Sequence, residues 1–85
     1  MNENIIEITV NKKIDFNHLA IKLSSLGYER TSVVRDKTEF AIRGSIIDIF
    51  ISDKENPIRI DFFDDTIDSI YSFDQITQKR LDKLN

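Results

Sequence analysis

The chain has 85 residues, a formal net charge of −3 and a sequence pI near 5.0. This length allows one small domain with one modest core, and the acidic balance argues against a dedicated nucleic-acid binder. Cysteine is absent, which excludes disulfides and thiolate metal sites. Apolar runs are too short to cross a membrane, and the sequence does not open with a signal peptide. We therefore expect a cytoplasmic protein.

The first predicted elements are a strand and a helix. Residues 5–10 are rich in β-branched side chains, which favour a strand. Asp15 can begin a helix, because its carboxylate can accept hydrogen bonds from free backbone N–H groups, and Gly27 stands where a left-handed C-cap belongs. We predict a helix over residues 15–26. Its apolar side is formed by Phe16, Leu19, Ala20, Leu23 and Leu26.

A hairpin is predicted in the middle of the chain. Residues 28–35 form a strand candidate with weak alternation, and a turn then leads into a strand over residues 38–43. Gly tolerates positive φ, so Arg43 and Gly44 can form a tight hairpin tip. This tip pairs Ile42 with Ser45, Ala41 with Ile46, and Phe40 with Ile47.

The second half of the chain continues the sheet. Residues 52–57 have loop composition, Ile58–Phe63 reads as a strand, and a turn at Asp64 and Asp65 leads into Thr66–Phe73 as another strand. Residues 74–85 fit either a terminal helix or a linker followed by the start of a strand whose partner is missing. The pattern predicts an α+β fold, with one main helix packed on an antiparallel β-sheet of about five to six strands.

The predicted strands have two faces of different character, because side chains alternate along a strand. One face is apolar and should pack against the helix. It contains Phe40, Ile42, Ile47, Ile49, Ile58, Ile60 and Phe62. The opposite face, called the second face below, mixes apolar and charged side chains, whereas a face that only meets solvent would be polar throughout. It contains Ile46, Asp48, Phe50, Arg59, Asp61 and Phe63.

Signals for catalysis or metal binding are weak. Gly27 and Gly44 are the only glycines, so a phosphate-binding glycine loop is excluded. His18 has no partner constellation and is read as a solvent-facing helix residue. A cluster of four aspartates lacks the loop spacing of cation sites, and a turn with solvated strand residues is favoured. The cluster is Asp61, Asp64, Asp65 and Asp68.

Three arginines are candidates for partner contacts. Arg43 lies at the predicted hairpin tip, Arg59 lies on the second face, and Arg30 lies on a strand expected to flank the hairpin. Arg suits bidentate contacts across protein interfaces. The competing interpretation is that they are strand arginines paired with Asp48 or Asp61 across the sheet, each pair contributing ~0.2–1 kcal/mol. Periodicity alone does not separate the two interpretations.

An ordered series of motifs adds a family resemblance. The series runs over roughly the last two-thirds of the chain as GYER, TEFAIRGSIIDIF and PIRIDFFDDTIDSIYSFDQITQKR. It resembles the UvrB-like module of bacterial nucleotide excision repair, in the version inserted in transcription-repair coupling factors. The matching residues are Gly27, Tyr28, Arg30, Phe40, Arg43, Gly44, Asp48, Ile49, Phe50, Arg59, Asp61, Phe62, Phe63, Ile67, Ile70, Phe73, Asp74, Thr77 and Gln78.

Departures from the family pattern distinguish the version in UvrB itself from the version in the coupling factors. Ala41 stands where UvrB tends to have a second Arg, and the four residues after Asp74 replace the Leu-Thr-Gly that UvrB tends to have after Asp-Pro. Both departures favour the coupling factors. Asp64 stands where the family often has Gly, so its turn departs from the family pattern.

The resemblance implies a function for residues 1–85 as a single interaction domain. It implies that the domain binds UvrA, the damage-recognition ATPase, and that it is excised from a longer chain to which residues 74–85 lead back. ATP and Mg²⁺ would be needed only by the DNA-translocating motor of that longer chain, and RNA polymerase and DNA would be bound by its other parts. No catalytic residue, cofactor or metal is expected in this domain. The partner-binding residues are then expected to be Arg30, Arg43, Phe50, Arg59, Asp61 and Phe63.

Three alternatives to this function remain at this point. The domain could be the equivalent UvrA-binding domain of UvrB itself. It could be a nucleic-acid-binding module that uses the basic residues of the first half, although the acidic net charge and the poor aromatic stacking positions count against this. A small stand-alone enzyme is the least favoured, because the sequence shows no catalytic constellation.

Overall fold

The computed structural model describes residues 8–85, and these form one helix and one six-stranded sheet. The strands lie side by side in the order in which the chain makes them. The predicted α+β class is confirmed. The elements are α1 Phe16–Ser25, β1 Glu29–Arg30, β2 Glu39–Arg43, β3 Ile46–Ile49, β4 Ile58–Phe63, β5 Thr66–Phe73 and β6 Arg80–Leu84.

The sheet is mixed, not wholly antiparallel. All neighbouring strands are antiparallel except β1 and β2, which are parallel. The predicted strand over residues 28–35 is shortened to Glu29–Arg30. Because β1 and β2 are consecutive and parallel, the chain must return after β1 to the end of the sheet where β1 began. Residues 31–38 therefore form the connection between the two strands and do not extend β1.

The first described residues pair with β5, but the pairing does not use the residues that were predicted to form a strand. Residues 5–7 of that strand lie outside the described residues, and residues 8–10 form no strand. The pairing follows later, where the Asn11 amide donates to the carbonyl of Ile67 at 2.7 Å and the Ile67 amide donates to the carbonyl of Lys12 at 2.9 Å. Lys13 forms an isolated antiparallel bridge with Thr66.

Helix α1 has caps at both ends, as predicted. Asp15 accepts from the backbone N–H groups of the second and third helical residues at 2.9 and 3.1 Å. At the other end Gly27 has φ +92°, and the Tyr28 amide donates to the carbonyl of Leu23 at 3.0 Å. This is the Schellman arrangement that a left-handed glycine permits. Within residues 8–85 no helix has the length and apolar character needed to cross a membrane.

The β2–β3 hairpin is shifted by two residues from the predicted register. Arg43 pairs with Ile46 and Phe40 pairs with Ile49, so the two turn residues are Gly44 and Ser45. Gly44 has φ +58° and Ser45 does not have positive φ, which is the order that a type II′ hairpin turn requires. A shift of two residues preserves the side-chain alternation. The predicted faces are therefore correct although the predicted partners are wrong.

The core lies between α1 and one face of the sheet. Leu19 and Leu23 are buried against the apolar face that the alternation predicts, and Phe16 meets Phe62 edge-to-face at 5.2 Å between ring centroids. Ile67 and Ile70 of β5 complete this core. The predicted packing of the helix on the apolar face is confirmed for Phe16, Leu19 and Leu23, whereas Leu26 is half-buried and lies outside this core. Helix α1 therefore covers the apolar face of the sheet and does not cover the second face.

Residues 74–85 end as a strand, which decides between the two predicted alternatives. The Asp74 side chain accepts from the amides of Ile76 and Thr77 at 2.8 and 2.9 Å, and this shapes a turn. Strand β6 then pairs antiparallel with β5 at the edge of the sheet, and all five of its residues are exposed. The strand therefore has a partner within this domain.

Candidate functional site

The connection between β1 and β2 covers part of the second face. Val34, in this connection, packs with Ala41 and Phe50 in a small buried cluster separate from the main core. Phe50 is only 5% exposed, and the ammonium of Lys37 lies 5.8 Å from its ring centroid. The prediction placed Phe50 among the partner contacts on an exposed face. Its burial means that the side chain offers no surface to a partner.

Glu39 holds this connection in place. Its Oε1 accepts from the backbone N–H groups of Arg35 and Asp36 at 2.9 and 3.1 Å. These two hydrogen bonds stabilise the ionised carboxylate and lower the pKa of Glu39 below its usual 4.5. The Thr38 amide also donates to the carbonyl of Phe50 at 2.8 Å. Residues 31–38 are therefore fixed over one end of the second face.

A buried ion pair occupies the middle of the second face. Arg59 donates to both carboxylate oxygens of Asp48, with Nε to Oδ1 at 2.7 Å and Nη2 to Oδ2 at 2.9 Å. The Arg59 guanidinium stacks 4.4 Å from the ring centroid of Phe73, and its Nη2 also donates to Oε1 of Gln78 at 2.9 Å. The hydrogen bonds to Asp48 raise the pKa of Arg59 above its ordinary value. This pair is a rigid bidentate contact, since both side chains are nearly buried and each has further partners.

Arg43 is the uncompensated cation next to this pair. Its Nη2 lies 3.8 Å from Oδ2 of Asp48, too far for a hydrogen bond, and both oxygens of Asp48 already accept from Arg59. The Arg43 side chain is 57% exposed, whereas that of Arg59 is 11% exposed. Two arginines face one carboxylate here. The Asp48 carboxylate therefore balances only one of these two charges, and the surplus positive charge lies on the accessible side chain of Arg43.

Asp61 and Phe63 lie towards the end of the sheet where both tight turns meet. Ser45 donates to Asp61 at 3.4 Å, and the Phe62 amide donates to the carbonyl of Ser45 at 2.9 Å. These contacts join the β2–β3 turn to β4. Phe63 is 72% exposed, far more than is usual for Phe. The prediction that at least one of Phe50 and Phe63 is unusually exposed is confirmed for Phe63.

Arg30 is separated from the other two arginines. It lies in β1 at the edge of the sheet, and its register partner is Phe40, whose side chain is fully buried in the main core. Paired residues point to the same face of a sheet. Arg30 therefore lies on the helix side of the sheet edge, and the structure does not bring it together with Arg43 and Arg59.

A pocket of about 300 Å³ opens on the second face between the β1–β2 connection and the turn that begins at Asp74. Its apolar walls include Val33, 45% exposed, and Ile76, 85% exposed, with Val34 and Phe73 deeper. Its polar part includes Arg43, Asp48 and Gln78. Sequence reasoning placed Val33 in a predicted strand and missed both Val33 and Ile76 as pocket residues, because only the folded connection and turn bring them together.

Gln78 was also missed as a site residue. Its φ is +67°, a left-handed backbone conformation that costs a non-glycine residue about 1 kcal/mol. This conformation lets its side chain hold Arg59 and also donate to the carbonyl of Gln75 at 3.0 Å. Gln78 is part of the motif series that carries the family resemblance. Its place in that motif series was the signal available in the sequence.

The aspartate cluster lies around the β4–β5 turn, and His18 lies on α1. No group of three or more His, Asp or Glu residues in the described part of the chain could hold a metal ion. Asp64 has φ +56° at the first position of the β4–β5 turn, which explains why Gly suits this position. His18 is exposed in the first turn of α1, as predicted.

Comparison with known proteins assigns the family. A model of the family described as "UvrB interaction domain" matches residues 6–85. The chain is 44% identical over 77 residues to the transcription-repair-coupling factor of Bacillus subtilis, covering 91% of this chain and 6% of that protein. It is 34% identical over all 85 residues to the one from Haemophilus influenzae, of which it covers 7%.

The relative from Staphylococcus aureus strain USA300 carries the same name and is 47% identical over 77 residues, 91% of this chain. The chain thus spans about a fifteenth of the length of the curated relatives that it matches. The predicted resemblance, including the preference for the coupling factors, is confirmed. The chain belongs to the UvrB interaction domain family.

Proposed function

We propose that this domain recruits UvrA in transcription-coupled nucleotide excision repair, and that UvrA docks on the second face. Membership of the UvrB interaction domain family supports a protein-interaction role. The structure supports the choice of surface, because α1 covers the other face of the sheet with the main core. UvrA is the partner that the family resemblance implies.

The observation that carries this proposal is the ion pair beside an exposed arginine. Arg59 is held by Asp48, Phe73 and Gln78, so little of its side-chain entropy remains to be lost on binding. Arg43 stands next to it, exposed and without a hydrogen-bonded acid. Preorganised polar groups next to an accessible Arg and an exposed aromatic side chain are typical of interface anchors.

Titration calorimetry of the domain with purified UvrA tests the proposal. Arg43→Ala should weaken binding by ~1–4 kcal/mol, because interface arginines are among the common hot spots. Lys54→Ala is the matched control, since it also removes one exposed positive charge but lies in the β3–β4 loop at the opposite end of the strands. Equal, unchanged affinities for both variants would contradict the proposed surface.

The proposal extends to a longer protein. The named relatives are much longer than this chain, and we propose that residues 1–85 act as one domain of such a coupling factor. In that protein an ATP- and Mg²⁺-dependent DNA-translocating motor and the contacts to RNA polymerase and DNA belong to other parts of the chain. A labelled-ATP binding assay on this domain checks the division, and saturable binding in the micromolar range would contradict it.

A further inference from the structure

The pocket on the second face combines apolar walls with an exposed positive charge on Arg43. Val33 and Ile76 stand at its rim with much of their surface in solvent, and Val34 and Phe73 are buried beneath them. Exposed apolar side chains that line a concave site lose water contact when an apolar group enters it. The walls therefore favour an apolar occupant.

The charges beside the pocket restrict the occupant further. The carboxylate of Asp48 is neutralised by the bidentate contact with Arg59, which leaves Arg43 as the surplus charge at the pocket. A cationic side chain would approach the Arg43 guanidinium and would be repelled. A carboxylate next to the apolar group would pair with Arg43 while its apolar neighbour fills the pocket.

We infer that this pocket is the anchor site for a short segment of a partner protein, in which a bulky apolar side chain is followed or preceded by an acidic one. The apolar side chain enters between Val33 and Ile76, and the acidic one pairs with Arg43. This inference rests on the proposed function, since it takes UvrA as the protein that supplies the segment. It adds an apolar anchor to the contacts that Arg43 and Arg59 offer on the second face.

Substitution at the rim tests the apolar anchor. Ile76→Glu and Val33→Glu place a carboxylate on the pocket walls, and each should weaken UvrA binding by about tenfold or more in titration calorimetry. Both side chains are exposed, so thermal melts should show little change. Ile21→Glu is the matched control, because Ile21 is 68% exposed on the outer side of α1 and should leave affinity unchanged.

The salt dependence of UvrA binding separates the contribution of the acidic side chain of the segment from that of its apolar side chain. The loss caused by Arg43→Ala should shrink as ionic strength rises, because exposed charges are screened. The loss caused by Ile76→Ser should persist at high salt, since burial of apolar surface does not depend on screening. If the Ile76→Ser loss disappeared with salt as the Arg43→Ala loss does, an apolar anchor would be excluded.

The outcomes of these experiments distinguish failure of the pocket inference from failure of the proposed function. Absence of UvrA binding by the unchanged domain would overturn both. A second outcome is that the unchanged domain binds UvrA and Arg43→Ala binds more weakly, but Ile76→Glu and Val33→Glu bind as tightly as Ile21→Glu. This outcome would overturn the pocket and leave UvrA docking in place. Selective loss with the two rim variants, in domains that melt normally, would establish the pocket.

Discussion

Removing the carboxylate of Asp48 should destabilise the domain far more than removal of a surface charge. Asp48 is 5% exposed and holds Arg59, whose side chain is 11% exposed, through hydrogen bonds of 2.7 and 2.9 Å. Asp48→Ala leaves that guanidinium nearly buried and without its acid. Breaking a buried pair in this way costs about 3–5 kcal/mol, a large part of the 5–15 kcal/mol that stabilises a typical domain.

A double-mutant cycle measures how much of this loss belongs to the pair. Arg59→Ala should also be destabilising, because it leaves the Asp48 carboxylate without its bidentate donor. The double variant has neither buried charge, so its loss should fall short of the sum of the single losses by about 0.5–3 kcal/mol. The exposed pair Lys13 and Asp65, 3.6 Å apart and 78% and 50% exposed, provides the control cycle. Its coupling should be ~0–1 kcal/mol.

Urea unfolding followed by circular dichroism gives the free energies, provided that the slopes of the transitions agree among variants. The bidentate geometry requires a coupling free energy between Asp48 and Arg59 that clearly exceeds that of the control pair. Strictly additive losses would refute it, because the two side chains would then act independently despite the bidentate geometry.

Three further predictions concern stability. Leu23→Ala should cost ~2–5 kcal/mol in urea unfolding because Leu23 is 3% exposed in the core, whereas Ile21→Ala on the exposed side of the same helix should change the midpoint little. Phe50→Ala should cost ~3–5 kcal/mol, and any loss of UvrA binding should follow the unfolded fraction; a folded variant of normal stability would show that Phe50 is not core. Glu39 has a folded pKa below its unfolded value of about 4.5, so its contribution is complete above that pH and is lost as pH falls through the folded pKa. Glu39→Gln should therefore be less sensitive than the wild type to acid in this range, and parallel acid-unfolding curves would contradict the assigned role.

Periodicity was enough to predict the helix and the faces of the main sheet. Leu19 and Leu23 recur at helical spacing and Phe40 and Ile49 at strand spacing, and each lies where its spacing places it. Local chemistry was also sufficient at the helix ends, because Asp15 and Gly27 act through their own neighbours. These features depend on interactions between residues close in sequence.

The path of the connecting segments could not be predicted in the same way. Phe50 lies on the second face by alternation, but it is buried because residues 31–38 cross that end of the face. Arg30 was grouped with Arg43 because its strand was expected to flank the hairpin with Arg43 at its tip. The register of β1, in which Arg30 pairs with Phe40, places it on the other side of the sheet. Ile76 reaches the pocket only through the turn that Asp74 shapes. These outcomes depend on tertiary contacts that carry no periodic signal.

The claim that UvrA docks on the second face is tested most directly by thiol protection. The chain has no cysteine, so a single substitution provides one reactive thiol. Ser32 is exposed at the pocket, and Ser24 is exposed on α1, so Ser32→Cys and Ser24→Cys are a matched pair with the same small change. The rate of maleimide modification is followed by the mass of the domain, with and without saturating UvrA. If UvrA docks on the second face, it slows modification at position 32 and leaves the rate at position 24 unchanged. Protection at position 24 with position 32 still reactive would contradict docking on the second face.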